Sequence, residues 1–149
     1  MTFFFATFDP ETRILSYCNA SHDPPYVFPY NNGDPIRKSH IEPLMDKTGK
    51  RLGEDPAAEY ETVDVHLQDG DRIAFYTDGV TELNNNEGDM WGERKFLKTL
   101  LSSFNNVPSQ FCIFVFHLIR YTSVPVICND SFYQSFTLIS STLRYIIFC

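Results

Sequence analysis

The residues best suited to chemistry in this chain lie in one stretch, Gly70-Asp71-Arg72-Ile73-Ala74-Phe75-Tyr76-Thr77-Asp78-Gly79-Val80-Thr81-Glu82. Arg72 to Tyr76 reads as a buried strand that ends in an acidic turn. A carboxylate at the end of a rigid strand, followed by a glycine, suits a hard divalent cation. The strand fixes the Asp78 backbone, and Gly79 lets the chain turn sharply with its own carbonyl close by. Asp78 and Gly79 are therefore the candidate metal ligands, and a plain turn cap is the alternative for Asp78. His22, in Ser21-His22-Asp23-Pro24-Pro25, is the candidate catalytic residue. An imidazole there can act as a general acid toward a leaving oxygen, or simply bond the loop backbone. Glu82 reads as an acceptor behind Asp78 or as a turn residue, Asp69 and Asp71 as turn residues, and Asp23 as a loop cap. His40, His66 and His117 have no acidic or cysteine partner at metal-ligand spacing.

Several elements must position these groups. Thr2 to Phe8 is dense in aromatic and β-branched residues and reads as a strand. A turn at Asp9-Pro10-Glu11-Thr12 leads to a second strand, Arg13 to Asn19, and the two predict a hairpin. Pro24-Pro25 cannot pair in a ladder, so Ser21 to Pro25 is a loop. Tyr26 to Tyr30 predicts a short strand before the Asn31-Asn32-Gly33-Asp34 turn, and residues 35–58 read as loops with short elements. Tyr60 to Leu67 alternates apolar and polar residues as a half-buried strand does. The Gln68-Asp69-Gly70-Asp71 turn then predicts that Arg72 to Tyr76 pairs back on it. Glu93 to Phe104 carries Phe96, Leu97, Leu100, Leu101 and Phe104 on one stripe, which predicts a helix laid on a sheet. Trp91 reads as packing on that helix. Gln110 to Arg120 and Phe136 to Phe148 fit either strand or helix.

The ordered set of segments closely resembles the PPM (type 2C) protein phosphatases, in their sporulation stage II protein E (SpoIIE) branch. Residues 70–82 resemble the family's metal segment. Leu15 to Pro25 is similar to a family segment ending in YANAGHNPP, with Ser21 in place of glycine. Gly49-Lys50-Arg51-Leu52-Gly53 resembles G-x-P-L-G, with Arg51 for proline. Glu87-Gly88-Asp89-Met90-Trp91-Gly92-Glu93-Arg94 resembles E-G-E-x-F-G-E-E-R. These pieces keep family order over about residues 1–101. Two family segments rich in carboxylates, G-G-D-x-x-D and G-D-V-S-G, would precede Met1, so the chain reads as truncated. In place of the terminal D-D-x-T-L stands Gln134-Ser135-Phe136-Thr137-Leu138, without its acids; Asn129-Asp130-Ser131-Phe132 is a partial substitute.

The resemblance implies an α+β fold, a partial αββα sandwich with a mainly antiparallel sheet and a covering helix. A half sandwich leaves edges and an apolar face without cover, so the isolated chain is expected to be unstable, to pair with a second copy as a homodimer, or to swap elements. The resemblance also implies a metal-dependent protein serine phosphatase with Mn²⁺ or Mg²⁺, acting in the cytoplasm on a phosphorylated STAS-type anti-anti-sigma protein. Asp78 matches one ligand of the two-metal site. The alternative is a non-catalytic remnant, or a module of the same family that binds a partner.

Length and composition agree with one globular domain: 149 residues, 43% of them hydrophobic. A net charge of −7 argues against nucleic acid as a partner. The longest apolar run of the tail, Phe111 to Ile119, falls short of the ~20 residues that span a bilayer. The four cysteines show no C-x-x-C spacing, so reduced thiols are expected. Composition breaks near Asn105: of 19 acidic residues, 18 precede it and only Asp130 follows. The chain accordingly divides into residues 1–104, the phosphatase-like part, and a divergent tail, 105–149. That tail is either a shifted reading frame or a real but divergent strand pair with a helix.

Overall fold

The computed structural model describes residues 1–106, 112–116 and 145–148. Two four-stranded sheets form the body. Strands β1 (Phe3–Asp9) and β2 (Ile14–Ala20) make the expected hairpin, in register from Phe3 against Ala20 to Asp9 against Ile14. The Asp9 carboxylate closes its turn by accepting from the Glu11 amide at 2.9 Å and the Thr12 hydroxyl at 2.8 Å. β5 (Val63–His66) pairs with β2, and β8 (Tyr145–Phe148) with β1, both antiparallel.

The second sheet runs in the order β4-β3-β6-β7, built from β3 (Tyr26–Phe28), β4 (Glu42–Pro43), β6 (Arg72–Tyr76) and β7 (Cys112–Phe116). Its β6–β7 pair is parallel, and all other ladders are antiparallel. Two segments that periodicity left open between strand and helix thus contain strands. Their remaining residues, with His117, Asp130 and the Gln134–Leu138 stretch, lie outside the described residues.

The two sheets close on each other through alternate residues. Phe4, Ala6, Leu15 and Tyr17 of the first meet Val27, Ile73 and Phe75 of the second, with Leu44 and Leu67 completing the core. The opposite face of the second sheet, Tyr26, Phe28, Ala74 and Tyr76, receives Phe96, Leu97, Leu100 and Phe104 of α2 (Gly92–Asn105). The layers are therefore sheet, sheet, helix: an α+β sandwich of the expected kind, with α2 as its covering helix. Neither α2 nor the single helical turn α1 (Asp78–Thr81) packs on the outer face of the first sheet, where Phe3, Ile14 and Cys18 stay half-buried.

One expectation is overturned. Arg72 to Tyr76 does not pair back on the preceding strand. β5 lies at the edge of the first sheet, whereas β6 is an inner strand of the second. All five residues of β6 are buried, as a strand with a core on each face must be. β5 has the alternating pattern of an edge strand with one wet side. The Gln68–Asp71 turn is thus a corner between sheets. Asp71, 4% exposed, holds it by accepting from the Tyr30 amide and the Gln68 amide, both at 2.7 Å. Arg72 reaches across the second core, where it donates to the Phe104 carbonyl and covers that ring at 5.4 Å.

Candidate active site

The site is built at the C-terminal end of β6. Burial on both faces fixes the strand as far as Tyr76. The chain then leaves the sheet at Thr77 and makes one helical turn, α1, with Asp78 as its first residue. The acidic turn expected at Asp78 is this helical one: the Asp78 carbonyl accepts from the Glu82 amide at 2.8 Å and from the Thr81 hydroxyl at 3.1 Å. Asp78 itself is exposed. Gly79 sits inside this turn, so its role does not depend on a left-handed conformation.

A loop from the hairpin comes alongside. Tyr26 pairs with Ala74, and the same antiparallel register continued backwards carries Pro24 and Asp23 toward Tyr76 and Thr77. Asn19, 1% exposed, braces this loop: its side chain accepts from the His22 amide at 2.8 Å and donates to the His22 carbonyl at 3.0 Å. Ser21, in place of the glycine of the family segment, takes a φ of +57°, and its hydroxyl donates to the Gly49 carbonyl at 2.8 Å. The hydroxyl bond offsets part of the left-handed strain that glycine would avoid. The His22 ring has its Nδ1 2.9 Å from the Asp23 carbonyl oxygen and lies edge-on to Phe4.

The third contribution comes from α2. A tight loop precedes it, closed by Asn85, whose side chain accepts from the Glu87 amide at 2.9 Å and the Asp89 amide at 2.8 Å. The Trp91 amide then bonds the Leu83 carbonyl at 2.7 Å, tying the start of α2 to the end of α1. Trp91 packs edge-on against Phe96 at 5.9 Å, as expected from the sequence. Glu93, in the first turn of α2, accepts a hydrogen bond from the Tyr26 hydroxyl. Tyr26 and Tyr76 are stacked at 5.8 Å, and the Tyr76 hydroxyl donates to Tyr26. Burial, then the bond to Glu93, pushes Tyr26 up to about 12, against the Tyr76 bond. Burial raises Tyr76 further still. Both phenols stay protonated near neutrality and serve to aim Glu93.

Asp23 thus lies within electrostatic reach of two further carboxylates, Asp78 and Glu93. Burial pushes the Asp23 carboxyl up from its ordinary value; the charges of Asp78 and Glu93 act the same way and His22 opposes them. Sequence reading singled out Asp78 and His22 and missed Glu93, Tyr26 and Tyr76, which looked like ordinary helix-start and strand residues. The one available signal was Asp23, which adds a charge where the family segment has asparagine. Glu82 lies at the end of α1, and Asp69 pairs with Arg13 on the surface at 3.0 Å, away from this cluster. Among the described residues, no three His, Cys, Asp or Glu side chains converge on a position that could hold a metal ion. A hard divalent cation takes six or more oxygen ligands, so these residues alone do not complete such a site.

Residues 1–125 match the family model described as Stage II sporulation protein E (SpoIIE). The chain belongs to the SpoIIE family of PPM-type phosphatases. It is 28% identical over 101 residues to Phosphoserine phosphatase RsbU of Bacillus subtilis, covering 68% of this chain and 28% of RsbU. It is 26% identical over 104 residues to Protein IcfG of Synechocystis sp., covering 70% of this chain and 15% of IcfG. The chain thus spans less than a third of either relative. No solved structure matches it. No helix among the described residues is long and apolar enough to cross a membrane.

Proposed function

We propose that this chain is the C-terminal part of a protein serine phosphatase domain. It would hydrolyse the phosphomonoester of a phosphorylated STAS-type anti-anti-sigma protein in the cytoplasm, with Mn²⁺ or Mg²⁺ as cofactor. The likeness to RsbU, a phosphoserine phosphatase, supports phosphoserine as the group acted on. Asp78 and the Gly79 carbonyl are this segment's share of the metal ligands; the others belong to residues beyond those described. Bound, the cation would supply an activated water.

In the hydrolysis a water oxygen bonds to phosphorus and the bond from phosphorus to the serine oxygen breaks. The leaving oxygen then needs a proton. We assign that proton to His22, whose ring Nδ1 lies 2.9 Å from the Asp23 carbonyl oxygen and whose amide donates to the Asn19 side chain. The test is release of inorganic phosphate from a phosphoserine-bearing STAS protein with Mn²⁺. Asp78→Asn is expected to abolish release, and His22→Ala to slow it by roughly 10²-fold or more. Release at the wild-type rate from the Asp78 variant overturns the reading.

A further inference from the structure

A pocket of about 350 Å³ opens between the 3₁₀ turn Lys38–His40 and the first two turns of α2. Its lining joins the buried or half-buried Tyr26, Ile41 and Leu97 to the exposed charged residues Lys38, Glu93 and Arg94. Neither Lys38 nor Arg94 has a carboxylate at ion-pair distance among the described residues, whereas Arg13, Lys47 and Lys50 each have one. Arg37 adjoins Lys38, and Lys95 and Lys98 share α2 with Arg94. In a chain of net charge −7, unpaired positive charge gathers on the two segments that flank this pocket. An arginine fork and a lysine in one pocket with apolar residues match a carboxylate next to an apolar side chain. The Glu93 carboxylate, engaged by Tyr26, disfavours an acid set directly against it and so favours one at Lys38 and Arg94.

We infer that this pocket binds an acidic peptide segment of the protein substrate. An apolar side chain packs against Tyr26, Ile41 and Leu97, and a neighbouring Asp or Glu pairs with Lys38 and Arg94. Tyr26 and Glu93 belong both to this pocket and to the carboxylate cluster, so the bound segment adjoins the phosphoserine; that last step rests on the phosphatase reading above.

The test is fluorescence anisotropy of the full chain with a labelled peptide carrying phosphoserine beside Leu-Glu-Glu, a measurement that needs no turnover. Replacing both glutamates by alanine, or using Lys38→Ala with Arg94→Ala, is expected to weaken binding roughly 5- to 30-fold. Raised salt is expected to weaken the native pair more than either altered pair. Equal binding by the double variant, or by the peptide without acids, overturns the inference. Hydrolysis of p-nitrophenyl phosphate, too small to reach the pocket, is expected to be the same in wild type and double variant. Its loss together with peptide binding in the double variant would also count against a separate pocket. If the wild type hydrolyses no phosphomonoester at all, the phosphatase reading fails, and anisotropy still decides whether the pocket takes acidic peptides.

Discussion

Asp23 is the residue where local chemistry and function meet most directly. Burial and the charges of Asp78 and Glu93 favour its protonated form in the folded chain. A carboxyl raised on folding binds more protons folded than unfolded. Its contribution to stability is therefore present at low pH and lost as pH rises from the ordinary aspartate value through the raised one. Asp23→Asn removes that penalty. With a chelator present, the variant is expected to melt at a higher temperature than wild type at pH 7, and the gap is expected to close below about pH 3.9. A gap that widens on acidification would contradict this account of the site. Asp78 and His22 stand out in the sequence as candidates because family segments surround them. Glu93, Tyr26 and Tyr76 were not, because their roles exist only once α2 lies across the second sheet.

At the level of elements, the hairpin β1–β2, the covering helix α2 and the short strand β3 were legible from alternation, turn residues and the apolar stripe. The pairing of β6 was not. A turn between two strands reads the same whether the strands stay in one sheet or change sheets; here the five buried residues of β6 were the available clue. Asp71 holds that corner, and Asp69, two residues earlier, does not. Asp71→Ala leaves two backbone amides, of Tyr30 and Gln68, without their acceptor inside the fold. It is expected to cost about 2–4 kcal/mol in urea unfolding. Asp69→Ala breaks only an exposed pair with Arg13, whose side chains are 49% and 81% exposed, and is expected to cost less than about 1 kcal/mol. Equal losses for the two variants would remove Asp71 from its role as the anchor between sheets.

The described residues form a sheet-sheet-helix sandwich with the candidate site at the end of β6 in its inner sheet. Family order along the chain made that architecture legible, since each segment of the resemblance corresponds to an element around the site: the hairpin and its loop, the end of β6, and the start of α2. The ligands that complete a cation site were not legible within the described residues, because coordination joins segments distant in sequence and a single carboxylate leaves most of the cation's charge uncompensated. The spare cations around Lys38 and Arg94 likewise gain meaning only from the pocket between them. The central claim is that Asp78 is the working carboxylate of this site. The most direct test is Mn²⁺-dependent hydrolysis of p-nitrophenyl phosphate by the purified chain, beside Asp78→Asn in the same fold. The account predicts hydrolysis that rises with Mn²⁺ in the wild type and vanishes in the variant. No hydrolysis by a folded wild-type chain at millimolar Mn²⁺, or equal hydrolysis by both proteins, would contradict it.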